Sequence, residues 1–160
     1  MASEFSTCGG SHLARKSEIV SARAKLGALR DVLVVEDDPL DAERMTATLH
    51  VIFGYELRFH LASTLGDAVD RVIESKPSLV FLDDILKPST NALQAIPLLR
   101  GAGYAGPIIV VSGQVTYQRR SSLLANGAGE VIHKDEVDSV RVAEAIARLD
   151  LNRPGGSSVG

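Results

Sequence analysis

Cysteine occurs once, at Cys8, in a chain of 160 residues. A single thiol excludes an intramolecular disulfide and a cysteine-rich metal centre, and it suits a reducing compartment. No apolar run approaches the length that spans a bilayer, and the N-terminus lacks the apolar core of a secretory signal. A cytoplasmic location with no membrane partner is therefore expected. Excess positive charge is missing too: the formal net charge is -3, which gives no global attraction to nucleic acid, so no nucleic-acid partner is expected. Internal repeats are absent.

What remains fits one globular domain, with 45% hydrophobic and 23% charged residues. Residues 1–30 read as a flexible extension in which "SEIVSARAKLGAL", from Ser17, places Ile19, Ala22, Leu26 and Leu29 near one helical face. Residues 151–160 are linker-like. Between them, in residues 31–150, short β-branched runs at Val32 to Val35, Leu79 to Leu82 and Ile108 to Val111 have the form of strands buried on both faces. Leu57 to Ala62 and Glu130 to His133 read as weaker strands. Helical patterns cover Pro39 to Ile52, Leu65 to Ser75, Ala92 to Arg100, Thr116 to Asn126 and Val137 to Leu149, with Asp38 as an N-cap, Gly127 as a left-handed cap and Pro97 as an interruption. Strands alternating with helices predict an α/β fold, a parallel sheet with right-handed crossovers and helices on both sides.

Ligands of such sheets bind beyond the carboxyl ends of the strands. There the sequence collects Glu36 and Asp37, Asp83 and Asp84, Ser112 with Gly113, and Lys134. Taken alone, Glu36 and Asp37 are more often a solvated strand end or helix cap than metal ligands. Clustered carboxylates repel unless they share a cation, and a few hard oxygen ligands suit Mg²⁺, which completes its shell with water and phosphate oxygens. A carboxylate can also act as a nucleophile toward phosphorus while a metal and a lysine neutralise the transferring group.

Residues 31–149 resemble the receiver domain of two-component response regulators. The acidic pair Glu36 and Asp37 after the first strand, the Asp84 that lies four residues before Pro88, Ser112 after the fourth strand and Lys134 after the fifth carry the likeness. It implies a flavodoxin-like (βα)5 sheet of order 2-1-3-4-5, with Asp84 as phosphoacceptor, Ser112 and Lys134 as partners of the phosphoryl group, and Asp83 as auxiliary. It also implies Mg²⁺ held by Glu36, Asp37, Asp84 and the Leu86 backbone carbonyl. The implied partners are a histidine kinase or histidine phosphotransfer protein and a downstream protein, with the chain a monomer or weak dimer. Since Leu149 lies close to the last residue, a stand-alone regulator signalling by protein contact is expected, and not a metabolic enzyme. Two alternatives stay open: an adaptor binding its partner independently of phosphate, and a receiver belonging to a hybrid kinase.

Departures from the family pattern accompany these matches. Asp135 follows Lys134 where a proline is usual, which predicts a differently shaped loop. Val131 stands where an aromatic switch residue is common, and Leu86, two positions after Asp84, is apolar where attacking water would pass. Arg119 and Arg120 read as solvated residues of the fourth helix, and His50, His60 and His133 as structural.

Overall fold

The computed structural model describes Ser17 and residues 31–149. The expectations for the rest of residues 1–30, including the amphipathic helix, and for residues 151–160 lie outside these. Five parallel strands, β1 (Asp31–Val35), β2 (Arg58–Ala62), β3 (Leu79–Asp83), β4 (Ile108–Ser112) and β5 (Glu130–His133), pair in the order β2-β1-β3-β4-β5. Five helices join them: α1 (Pro39–Phe53), α2 (Leu65–Ser75), α3 (Ala92–Gly101), α4 (Tyr117–Ala125) and α5 (Ser139–Arg148). This is the doubly wound α/β arrangement predicted, and its strand order matches.

Successive side chains along each strand alternate between two cores. Val32, Val34, Leu79, Phe81, Ile109 and Val111 face one side and pack with Leu49 of α1 and Ile146 of α5. Leu33, Val35, Val80, Leu82, Ile108 and Val110 face the other and pack with Val72 of α2, Ile96 of α3 and Leu123 of α4. Burial on both faces explains why these strands read as unbroken apolar runs.

Polar caps fix where each helix leaves the strand ends. Asp38 accepts from the Leu40 amide at 2.9 Å and Pro39 opens α1. Thr64, Thr116 and Asp138 cap α2, α4 and α5, and Asn91 and Gln94 form a reciprocal capping box on α3. Gly127 follows α4 with φ of 111°, a left-handed position that favours glycine.

Three local expectations change. Helix α3 runs through Pro97 to Gly101 without interruption. The fifth helix begins at Ser139, because Lys134–Glu136 form one turn of 3-10 helix instead and Asp138 serves as the cap. Strand β3 is followed by a small antiparallel ladder, Ile85–Leu86 with Thr90–Asn91, which lengthens the connection into α3.

Phe81 lies on a central strand with 1% of its surface exposed. Phe81→Ala is expected to cost about 3–5 kcal/mol of stability, measured as the shift in urea unfolding.

Candidate functional site

At the end of β3 the alternation continues into polar residues. Asp83 keeps the side of Leu79 and Phe81, and Asp84 turns to the side of Val80 and Leu82. Both are almost fully buried, at 4% and 2% exposure. They therefore meet different partners.

On the α1 and α5 side, Lys134, immediately after β5, places Nζ 3.3 Å from Asp83 Oδ1 and 3.6 Å from Glu36 Oε1. Asp41, in the first turn of α1 and four residues beyond Asp37, also reaches Lys134, at 3.2 Å. Carboxylate oxygens of Glu36, Asp37 and Asp83 lie within 4.8 Å of one another. The Lys87 amide donates to Asp37 at 3.3 Å, bringing the turn after β3 to the rim of the acidic group. Val34, Met45, Phe81 and Val111 form the apolar wall of the cleft.

On the opposite side Asp84 is enclosed by donors. Ser112 Oγ donates to Oδ2 at 2.8 Å, Arg119 Nε donates to Oδ2 at 3.0 Å, and Arg119 Nη2 bonds Oδ1. The Ala92 amide, opening α3, lies 3.4 Å from Oδ1. Ser112 also accepts from the Gln114 amide at 3.1 Å. The guanidinium and carboxylate form a bidentate pair, the strongest geometry available to these groups.

Burial and neighbours set the charges. Burial, then the hydrogen bond and charge of Asp83, push the Glu36 carboxyl up to about 8. Burial alone would lower Lys134, but Asp83, Glu36 and Asp41 outweigh it and hold the ammonium above its usual range. Burial would raise Asp84, yet the hydrogen bonds from Arg119 and Ser112 outweigh it and keep its carboxyl below the usual range. Asp84 thus carries its own counter-charge, whereas the Glu36, Asp37 and Asp83 group is anion-rich with Lys134 at its edge. Three hard oxygen donors, one of them costly to ionise where it stands, fit a divalent cation of the Mg²⁺ type.

These positions revise several sequence expectations. Counting back from Pro88 selected Asp84 for the metal and lysine site, but Asp83 is the aspartate grouped with Glu36, Asp37 and Lys134. Pro88 lies in the turn of the small ladder after β3, so the distance to the proline does not tell which side chain faces the cleft. Leu86 does not cover the site: its side chain is 1% exposed in the core beneath α2 and α3, and its neighbour Ile85 is the exposed one. Arg119 is half-buried and paired with Asp84 instead of standing free in solvent, because helical side chains tilt toward the helix N-terminus and a first-turn arginine of α4 points back at the strand ends. Arg120 likewise donates to the Val131 carbonyl at 3.1 Å. Val131 itself is a buried core residue. His133 is structural, its Nδ1 accepting from the Asp135 amide at 3.0 Å, so it shapes the turn that replaces the usual proline. His60 pairs with Asp31 at 2.9 Å, and His50 stacks against Tyr55 and Phe59. Asp41 escaped the sequence reading, although its spacing one helical turn after Asp37 carried the signal.

The family model described as the response regulator receiver domain matches residues 32–147. The chain is 32% identical over 104 residues to the transcriptional regulatory protein MalR of Bacillus subtilis (strain 168), covering 65% of this chain and 43% of MalR. It therefore spans less than half the length of that relative. A CheY-like receiver domain protein from Methanospirillum hungatei JF-1 superimposes with a TM-score of 0.63 at 20% identity, over 74% of this chain and 91% of the other. A response regulator from Burkholderia pseudomallei, solved with a phosphorylated aspartic acid, a calcium ion and citrate, gives 0.63 at 17% identity, over 73% and 66%. Among the described residues no helix is long and apolar enough to cross a membrane.

The raised Glu36 predicts a pH dependence in metal-free protein. Its ordinary value is 4.5 and its folded value about 8, so its protonated form stabilises the fold fully below the lower value and that stability is lost as pH rises through the upper one. The urea midpoint of wild type should fall between pH 5 and 8.5 by more than that of Glu36→Gln; equal slopes would refute the assignment.

Proposed function

Because the chain belongs to the response regulator receiver family, we propose that it is a phosphoryl-accepting switch, taking the group on Asp83 from a histidine kinase or histidine phosphotransfer protein with Mg²⁺ as cofactor. The observation that carries the acceptor assignment is the approach of Lys134 Nζ to Asp83, 3.3 Å, beside Glu36 and Asp37.

An oxygen of the Asp83 carboxylate attacks the donor phosphorus. The phosphorus–nitrogen bond of a phosphohistidine breaks, its electron pair returns to the imidazole, and an acyl phosphate forms on Asp83. Lys134 neutralises charge on the transferring oxygens, and the neighbouring carboxyl groups of Asp83, Glu36 and Asp41 keep it protonated for that task. Glu36, Asp37 and Asp83 would hold Mg²⁺, which would supply further neutralisation when bound. Water later adds at phosphorus, releasing inorganic phosphate and restoring the carboxylate. The Burkholderia relative described with a phosphorylated aspartic acid and a calcium ion supports this pairing of acyl phosphate and divalent cation on the same fold.

This chemistry is confined to the protein's own side chain. We read the output as a protein contact made by the receiver surface rather than nucleic-acid binding by these residues, a reading supported by the net charge of -3. A cytoplasmic site of action follows from that role.

Intact mass spectrometry after incubation with Mg²⁺ and acetyl phosphate tests the assignment. One phosphoryl adduct is expected in wild type, none in Asp83→Asn or with a chelator, and an adduct formed about 10²-fold more slowly in Lys134→Ala. An adduct that persists in Asp83→Asn and vanishes in Asp84→Asn would return the acceptor role to Asp84.

A further inference from the structure

We propose that Asp84 is a resident competitor of the phosphoryl group: a fixed carboxylate that occupies the Ser112 hydroxyl, the donor that an acyl phosphate on Asp83 must recruit, with Arg119 setting how tightly Asp84 keeps it. This rests on Asp83 being the acceptor.

The geometry supplies the competition. Ser112 ends β4, one residue beyond Val111, which pairs in register with Asp83, so its hydroxyl stands level with the β3 end where both aspartates emerge. A hydroxyl has one proton to donate. Here it lies 2.8 Å from Asp84 Oδ2, against 3.1 Å from the Gln114 carbonyl, and it cannot serve Asp84 and a phosphoryl oxygen at once. The phosphoryl group carries close to two negative charges and takes up the single charge of the carboxylate it joins, so phosphorylation of Asp83 adds about one negative charge beside it. The hydroxyl then leaves one anion for another, and the free energy of that exchange depends on how well Asp84 is satisfied by its remaining partners.

Those partners are Arg119 and the Ala92 amide. With the guanidinium in place, Asp84 gives up Ser112 and keeps a bidentate pair. Without it, the buried carboxylate depends on Ser112 and Ala92 alone and holds the hydroxyl more firmly. The pair also seats α4, in which Leu123 alone is fully buried. Asp84 and Arg119 are therefore positioning residues, and the two ends of one ion pair have opposite effects on phosphoryl binding.

The test measures the Kd of beryllofluoride with Mg²⁺, as a phosphoryl mimic, and the rate of adduct formation from acetyl phosphate, in full-length wild type, Asp84→Asn and Arg119→Gln. A neutral amide is a weaker acceptor than a carboxylate, so Asp84→Asn should bind the mimic about tenfold more tightly and react faster. Arg119→Gln should shift both in the opposite direction. In a Ser112→Ala background the gain from Asp84→Asn should vanish. A purely structural ion pair predicts changes of the same sign in both variants; that result, or no change in either, overturns the proposal. Should Asp84→Asn fail to fold, as judged by circular dichroism, the weakening in Arg119→Gln and its loss in Ser112→Ala decide the matter. Absence of any adduct in Asp84→Asn with an adduct retained in Asp83→Asn would instead sink the acceptor assignment.

Discussion

An extended chain sends neighbouring side chains to opposite faces, and at the end of β3 that constraint separates two carboxylates joined by one peptide bond. Asp83 inherits the side of Phe81 and emerges between α1 and β5, where Lys134 and the Glu36, Asp37 pair are waiting. Asp84 inherits the side of Leu82 and emerges beneath α3 and α4, where Ser112 and Arg119 close on it. Shifting the register of β3 by one residue would exchange both sets of partners, and would also turn Val80 and Leu82 out of their core. The apolar packing of the sheet and the choice of the carboxylate that joins Glu36, Asp37 and Lys134 are thus fixed together.

The two anions are kept in different electrical circumstances at nearly equal burial. Asp84 is neutralised in place by a bidentate guanidinium, so its charge needs nothing from outside the protein. The Asp83 side is left short of positive charge: Lys134 serves Asp83, Glu36 and Asp41 together, and Glu36 resists ionisation. A site that is incomplete in this sense has a use for a cation and for a reaction that spreads its charge. Mutual satisfaction would have made it inert.

Much of this was legible in the chain. Apolar runs bounded by caps located all five strands and helices within a few residues, because strands buried on both faces and polar N-caps leave local signatures. The acidic pair, Ser112 and Lys134 were legible because they sit directly after those runs. The choice between Asp83 and Asp84 was obscured by counting to Pro88, which measures a position in the turn of the two-residue ladder and not the side a strand residue faces. Continuing the alternation from Leu79 and Phe81 was the better guide. Arg119 was harder, since its partner lies 35 residues away and only the backward tilt of helical side chains hints at the reach. The turn at Lys134–Glu136 depends on His133 capping it, a contact no periodicity announces.

The Ala92 amide serves two acceptors of one residue, the Asp84 carbonyl at 2.7 Å and its carboxylate at 3.4 Å. The start of α3 is thereby anchored to the same side chain that anchors α4 through Arg119. Two helices that share little direct packing have a common hinge pin, so opening one lowers the cost of opening the other. In hydrogen exchange they would behave as a single cooperative unit, distinct from α1 and α5, whose packing lies on the far side of the sheet.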